Sequence, residues 1–156
     1  LSGTASGLAL KWPNDVLLNG GKVAGILLEG IGGPGGHLAI GIGVNLIAAP
    51  DVSQVEAGAV APVSLLAETG VRVSPEKMLE ALASAYAARE ESFVTYGFAP
   101  IRTAWMARAA RIGEVITARM ATREVTGTFE EVDEQGNLIL QTAKTREMIA
   151  AADVFF

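Results

Sequence analysis

The sequence predicts an α+β fold: an antiparallel meander, a helical middle and a small all-β end. Three observations predict it. Apolar runs between residues 8 and 46 are split by an Asn-Gly-Gly turn signal and by a glycine-rich stretch. Residues 74–97 carry a helix start, a helical apolar period and a glycine stop. From Arg111 onward the chain breaks into short strand-like runs divided by turn residues.

Residues 8–18 read as an extended lead-in containing Leu8 and Leu10, followed by a strand from Val16 to Leu18. Pro13 disfavours helix at Trp12 and lacks a ladder donor, so it belongs at a strand start or edge. Asn19-Gly20-Gly21 is a tight-turn signal, because these residues tolerate positive φ. Lys22 to Glu29 is the return strand, GIGGPGGH (30–37) a turn, and Leu38 to Leu46 a third strand. Residues 47–62 are irregular, and VSLLAETG (63–70) fits a short helix closed by Gly70. Ser74-Pro75-Glu76 combines a capping serine, a proline in the first turn and an acid near the positive helix end. Met78, Leu79, Leu82, Tyr86 and Phe93 then recur at helical spacing up to Gly97. Pro100 opens a second short helix through Ile101, Trp105 and Met106. The last third reads as four or five strands in GEVITARM, EVTGTFEEV, NLILQT and EMIAAADVFF, which predicts a small barrel. A domain boundary falls near residue 110, dividing the chain into residues 1–109 and 110–156.

Half of the 156 residues are apolar and the mean hydropathy is +0.36, enough for a packed core. No apolar run approaches the roughly 18 residues of a membrane span. The net charge of −5 offers no basic stripe to neutralise phosphates, which argues against a nucleic-acid surface in this portion. With no cysteine, disulfides, thiol nucleophiles and zinc–thiolate sites are excluded. That composition is compatible with a cytoplasmic location, which is the expectation here. The chain opens with Leu1 and LSGTASGLAL, which resembles neither a signal peptide nor a complete first element, so a longer parent protein is expected.

Both common nucleotide motifs fail. GIGVNL (41–46) has Leu46 where a dinucleotide fingerprint needs its third glycine, and GIGGPGG lacks the Gly-Lys-Ser/Thr ending of a phosphate loop. Glycines inside strands are more informative. Gly25, Gly41 and Gly43 mark either bulges and tight packing or a ligand lying flat across the sheet. Lys11 and Lys22 sit on opposite arms of the hairpin beside Asn14 and Asp15. Singly, they read as solvated edge lysines and a turn-capping pair. Together they could hold an anion while the carboxylate orients an amine or a metal ion. His37 reads as a solvated loop residue, Arg89-Glu90-Glu91 as an exposed helix face, and Trp12 and Trp105 as core or interface anchors. Glu29 is either a lysine's partner or solvent-facing.

KWPNDVLLNGGKVAGILLEG, followed about a dozen residues later by GIGVNL, resembles the catalytic core of biotin protein ligases. The tail RIGEVITARM…TGTFEEVDEQGNLIL…AADVFF is similar to that family's SH3-like C-terminal barrel. The resemblance implies the C-terminal part of a class II synthetase-like, biotin–lipoyl ligase catalytic sheet with helices, followed by the barrel. It implies two steps: biotin and MgATP give biotinyl-5′-AMP, and a lysine of a carboxylase's biotin carboxyl carrier domain then takes the biotin. Lys22 is implied to contact the biotin carboxylate and adenylate phosphate, Lys11 to hold the nucleotide, and Asp15 to orient or deprotonate the acceptor lysine. Gly25, Ile26 and Leu27 are implied biotin contacts, Gly41 permits close approach, Asn45 contacts the nucleotide and Asn14 gives support. No protein metal ligands are implied. The family's glycine–arginine loop, which closes over biotin and the adenylate, has no counterpart here. Two other readings are a non-catalytic ligase-like scaffold and a lipoate ligase. A ligase of this kind could dimerise through sheet edges.

Overall fold

The computed structural model describes residues 7–33 and 35–156. The opening stretch up to Ser6, and Pro34 in the glycine turn, lie outside the described residues. Two antiparallel sheets flank a helical middle. The first has strand order β1-β2-β3-β4, formed by β1 (Leu8–Lys11), β2 (Asp15–Leu18), β3 (Gly21–Ile31) and β4 (His37–Val44). The expected three-strand meander is therefore a four-strand one. Leu8 and Leu10 are not a lead-in but part of a strand, with Lys11 opposite Asp15 across Trp12-Pro13-Asn14.

The β2–β3 turn follows from its residues. Asn19 (φ 51°) and Gly20 (φ 85°) both take left-handed conformations, which suits a two-residue hairpin loop between Leu18 and Gly21. The β2–β3 ladder then slips: Val16 faces Ala24 but Leu17 faces Lys22, so Val23 is an extra, bulged residue. Val23 and Ala24 are both buried, with Leu18, in a small cluster under the hairpin.

Ser64 caps α1 (Leu65–Thr69), whose end is Gly70 at φ 71°. Ser74 caps α2 (Pro75–Tyr96), stopped at Gly97, and α3 (Ala99–Met106) follows. These agree with the signals in the sequence. No residue of α2 is buried, and Leu79, Tyr86 and Phe93 are all about half exposed or more.

The second sheet has order β8-β7-β6-β5-β9, with β5 (Val115–Arg119), β6 (Glu124–Val132), β7 (Leu138–Gln141), β8 (Arg146–Ile149) and β9 (Asp153–Phe155). EMIAAADVFF divides into two strands placed at opposite edges of this sheet. Among the described residues no ladder joins β8 to β9, so the sheet is open and the expected closed SH3-like barrel is not established. Most of the main core lies here, around the fully buried Phe129, Leu138, Leu140 and Ile149. Trp12 belongs to this core although it follows β1 of the other sheet.

Candidate active site

The antiparallel register sets four residues side by side: Lys11 opposite Asp15, Asp15 opposite Gly25, and Gly25 opposite Gly43. Directly opposed residues share a sheet face, so this row carries two charged side chains and then two glycines. Two residues along the same face, Leu27 stands opposite Gly41. The row is thus a charged patch continuing into a bare strip of backbone.

Lys22 joins the row because of the bulge. In a regular strand, residues three apart point to opposite faces. With Val23 extruded, Lys22 lies on the same face as Gly25, and its Nζ reaches Asp15 Oδ1 at 2.6 Å. Lys11 Nζ lies 3.4 Å from the other oxygen, Oδ2. Two ammonium groups therefore share one carboxylate, leaving the cluster with a net positive charge. Asp15 and Lys11 are nearly enclosed, with side chains 12% and 11% exposed, while Lys22 is 40% exposed. A Cβ at Gly25 would come within 3.3 Å of Lys22 Cε and 3.5 Å of Asp15 Oδ1. A side chain here would press on the end of Lys22, which would have to shift by a few tenths of an ångström.

The flanking polar residues hold the frame. Asn14 Nδ2 donates to the Ile26 carbonyl at 2.6 Å, and the Ile26 N–H donates to the Asn14 carbonyl at 2.9 Å. Asn45 Nδ2 donates to the Val63 carbonyl at 3.0 Å and to that of Lys22 at 3.4 Å. The backbone of Asn45 also bonds Val23 and Leu65. Its side-chain amide is therefore a bracket between β3 and the start of α1, though Asn45 still lines the cavity.

Two adjoining cavities open over this face, of about 640 and 630 Å³. Lys11, Asp15, Lys22, Gly25 and Gly43 border both. One lobe extends toward Asn45 and the segment from Pro50 to Pro62. The other extends over Asn14, Ile26, Leu27, Gly41 and Ile42. All nine site residues expected from the sequence thus line one or both lobes. Glu29 and His37 do not, and both are exposed.

Other wall residues carry no signal in the sequence. Asp153 and Val154 of β9 line both lobes, and Phe155 lines the first. Opposite them, Glu56 pairs with Arg119 at 2.7 Å, and Arg119 stacks 4.3 Å from the Phe155 ring. The Glu124 carboxylate, hydrogen-bonded to Arg119, and then the nearby Glu56 raise the Arg119 pKa. This wall comes from strands more than a hundred residues downstream of Lys11, which local patterns do not report.

Two family models match the chain. One, described as the biotin/lipoate A/B protein ligase family, matches residues 3–45. The other, the biotin protein ligase C terminal domain, matches residues 112–156. A biotin–[acetyl-CoA-carboxylase] ligase from Paracoccus denitrificans is 59% identical over 99% of this chain. The chain belongs to the biotin protein ligase family. It spans 65% of the Paracoccus relative. Of the bifunctional ligase/repressor BirA from Bacillus subtilis it spans 45%, at 31% identity over 93% of this chain. A solved biotin protein ligase from Aquifex aeolicus, in complex with biotin and ATP, shares the fold with a TM-score of 0.79. That likeness covers 97% of this chain and 63% of the Aquifex one, at 21% identity.

Among the described residues no group of three or more His, Cys, Asp or Glu gathers to cage a metal ion. Asp15, the acid at the centre, has both oxygens on lysines. The described residues do not fit a protein-held magnesium site. No helix among them is long and apolar enough to cross a membrane.

Proposed function

We propose that this chain supplies the substrate-joining site of an ATP-dependent biotin–protein ligase, with residues 1–109 as the C-terminal part of the catalytic domain, carrying the Lys–Asp–Lys cluster, and 110–156 as a small C-terminal domain whose last strand walls the lobes. One observation carries the reading: two cavities, one over an apolar, glycine-bordered strand pair and one beside an irregular loop, meet at a shared Lys–Asp–Lys cluster. A reaction between two anions needs such a junction, because cations there offset the repulsion between carboxylate and phosphate.

In this reading the biotin ring system lies over Gly25, Ile26, Leu27 and Gly41, and the nucleotide lies toward Asn45. A carboxylate oxygen of biotin attacks the α-phosphorus of ATP. The bond to the β-phosphate bridging oxygen breaks, giving biotinyl-5′-AMP and pyrophosphate. Lys22, the more exposed of the two cations, faces the carboxylate and α-phosphate, and Lys11 faces the nucleotide phosphates. As the lysines turn to this negative charge, Asp15 is released to accept a hydrogen bond and proton from the incoming lysine amine. That amine attacks the acyl carbon, an amide forms, and AMP leaves. The acceptor is a lysine of a carboxylase's biotin carboxyl carrier domain. Magnesium would arrive with the triphosphate, since no cluster of three acids stands among the described residues to hold it beforehand. Asn14 and Asn45 act through the backbone they brace. A homodimer along β4, at the edge of its sheet, would fit the topology.

The test is a hybrid in which residues 1–156 replace the matching segment of the Paracoccus relative. It should transfer biotin, ATP-dependently, to a carrier domain. Preferential transfer of lipoate would move the reading to a lipoate ligase. A folded hybrid that binds biotin without transfer would make it a scaffold.

A further inference from the structure

We propose that Trp12 is a positioning residue: its indole ties the second sheet to Lys11, so that its seat against Val132 and the Gly136 turn sets where the Lys11 ammonium stands. The proposal deepens the ligase reading and rests on it for the role of Lys11 as an anion contact.

The two lysines of the site have separate supports. Lys22 is held within the first sheet and its loop: its N–H donates to the Ala61 carbonyl and its carbonyl accepts from the Val63 N–H, both at 2.9 Å. Lys11 is held from the other side. The Leu10 N–H donates to the Arg108 carbonyl, and the Ala110 N–H donates to the Leu10 carbonyl, each at 2.8 Å. Immediately after Lys11, Trp12 is 7% exposed and sits in the core shared with Phe129, Leu138 and Leu140. Its Nε1–H donates to the Gly136 carbonyl in the β6–β7 turn at 3.1 Å.

The backbone on both sides of Lys11 is therefore fixed by the second sheet and the segment leading into it. The side chain is guided likewise. Lys11 Nζ lies 5.9 Å from the Phe156 ring centroid, just past β9, in addition to its 3.4 Å contact with Asp15. A large rigid ring locked in a core holds its neighbour more tightly than surface contacts do. The tryptophan of the KWPND stretch thus acts through Lys11, with no contact of its own to the lobes.

The test uses the 156-residue chain with side-chain-labelled lysine, read by NMR. Trp12→Phe keeps an apolar ring but loses the bond to Gly136. It should shift the Lys11 side-chain resonances well beyond those of Lys22. Pyrophosphate binding, followed in the same spectra, should weaken roughly tenfold, the scale on which sub-ångström misplacement of a binding group acts. Val125→Ala is the control, since it loosens the same sheet at the end of β6 far from Val132, which borders the indole. It should leave both readouts unchanged. Should Trp12→Phe fail to fold, Val132→Ala, which opens space beside the indole, should give the same Lys11-selective shift. Unmoved Lys11 resonances in the Trp12 variant, or an equal shift in Val125→Ala, would overturn the proposal. If the unaltered chain does not bind pyrophosphate, the anion-site reading falls, and the Lys11 resonances still decide the role of Trp12.

Discussion

The two sheets use their residues in opposite ways. The second alternates buried and exposed positions along β6 and seals Phe129, Leu138 and Leu140 almost completely. The first keeps only a small buried cluster, around Leu18, Val23 and Ala24, and leaves Leu27 and Leu28 more than half exposed. Its site row replaces side chains with Gly25 and Gly43 where a packed sheet would place branched residues. Stability is concentrated in one sheet and open surface in the other, with Trp12 joining them. A surface built to receive a flat ligand cannot also be filled by its own side chains.

Substitutions should separate the two roles. Leu140→Ala removes a fully buried side chain and should cost about 2–5 kcal/mol. Chemical denaturation should show the loss, with the charged cluster reached only through global unfolding. Lys22→Ala should do the reverse. Biotin transfer by the hybrid ligase should fall roughly a hundredfold or more, as when a group that stabilises developing charge is removed. The denaturation midpoint should hardly move, since Lys22 is 40% exposed.

Gly25→Ala should lie between. Its Cβ would crowd Lys22 Nζ at 3.4 Å, so pyrophosphate binding in a titration should weaken by about tenfold. Gly43→Ala meets only the Gly25 carbonyl at 4.0 Å and should be tolerated better. Equal effects at the two glycines would contradict the reading that the lysine cluster sets the requirement.

The next effect depends on pH. Asp133 accepts from Asn137 Nδ2 and from the N–H groups of Asn137 and Gln135. The Asn137 side chain first, and then the backbone N–H groups, hold its carboxyl below its ordinary value of 3.8. Its contribution is complete above the unfolded pKa and lost as pH falls through the lower folded value. The same turn presents the Gly136 carbonyl to Trp12. Acidification below about pH 4 should therefore change the tryptophan emission, and Asp133→Asn should flatten that dependence. Glu56→Gln should be mildest. Its partner Arg119 is exposed, so the thermal midpoint should stay put, with a small salt-dependent change in nucleotide affinity.

Much of this was legible locally. Asn19-Gly20, Ser64, Gly70 and Ser74-Pro75 act through a few adjacent dihedrals and backbone donors, so their turns and caps could be read from composition. The nine residues expected at the site came from a motif in a short span, and the structure gathers them around the two lobes. What stayed hidden is relational. A bulge at Val23 is a matter of register, set by which neighbours bury, and it brings Lys22 onto the face of Asp15. β1 was obscured because Trp12-Pro13 separates it from its partner strand. The wall formed by Asp153, Val154 and Phe155 depends on how the two sheets pack. The open second sheet, against the closed barrel expected, depends on the placement of its last two short strands.

The central claim is that two lobes meet at Lys11, Asp15 and Lys22, one for the acid and one for the nucleotide. Its most direct test is an NMR titration of the chain with a non-hydrolysable biotinyl-adenylate analogue, alongside biotin alone and AMP alone. Biotin should perturb Leu27 and Gly41, AMP should perturb Asn45 and Val55, and the joined analogue should perturb both sets together with the Lys11 and Lys22 side chains. Perturbations from both halves in a single lobe, or none at the lysines, would contradict it.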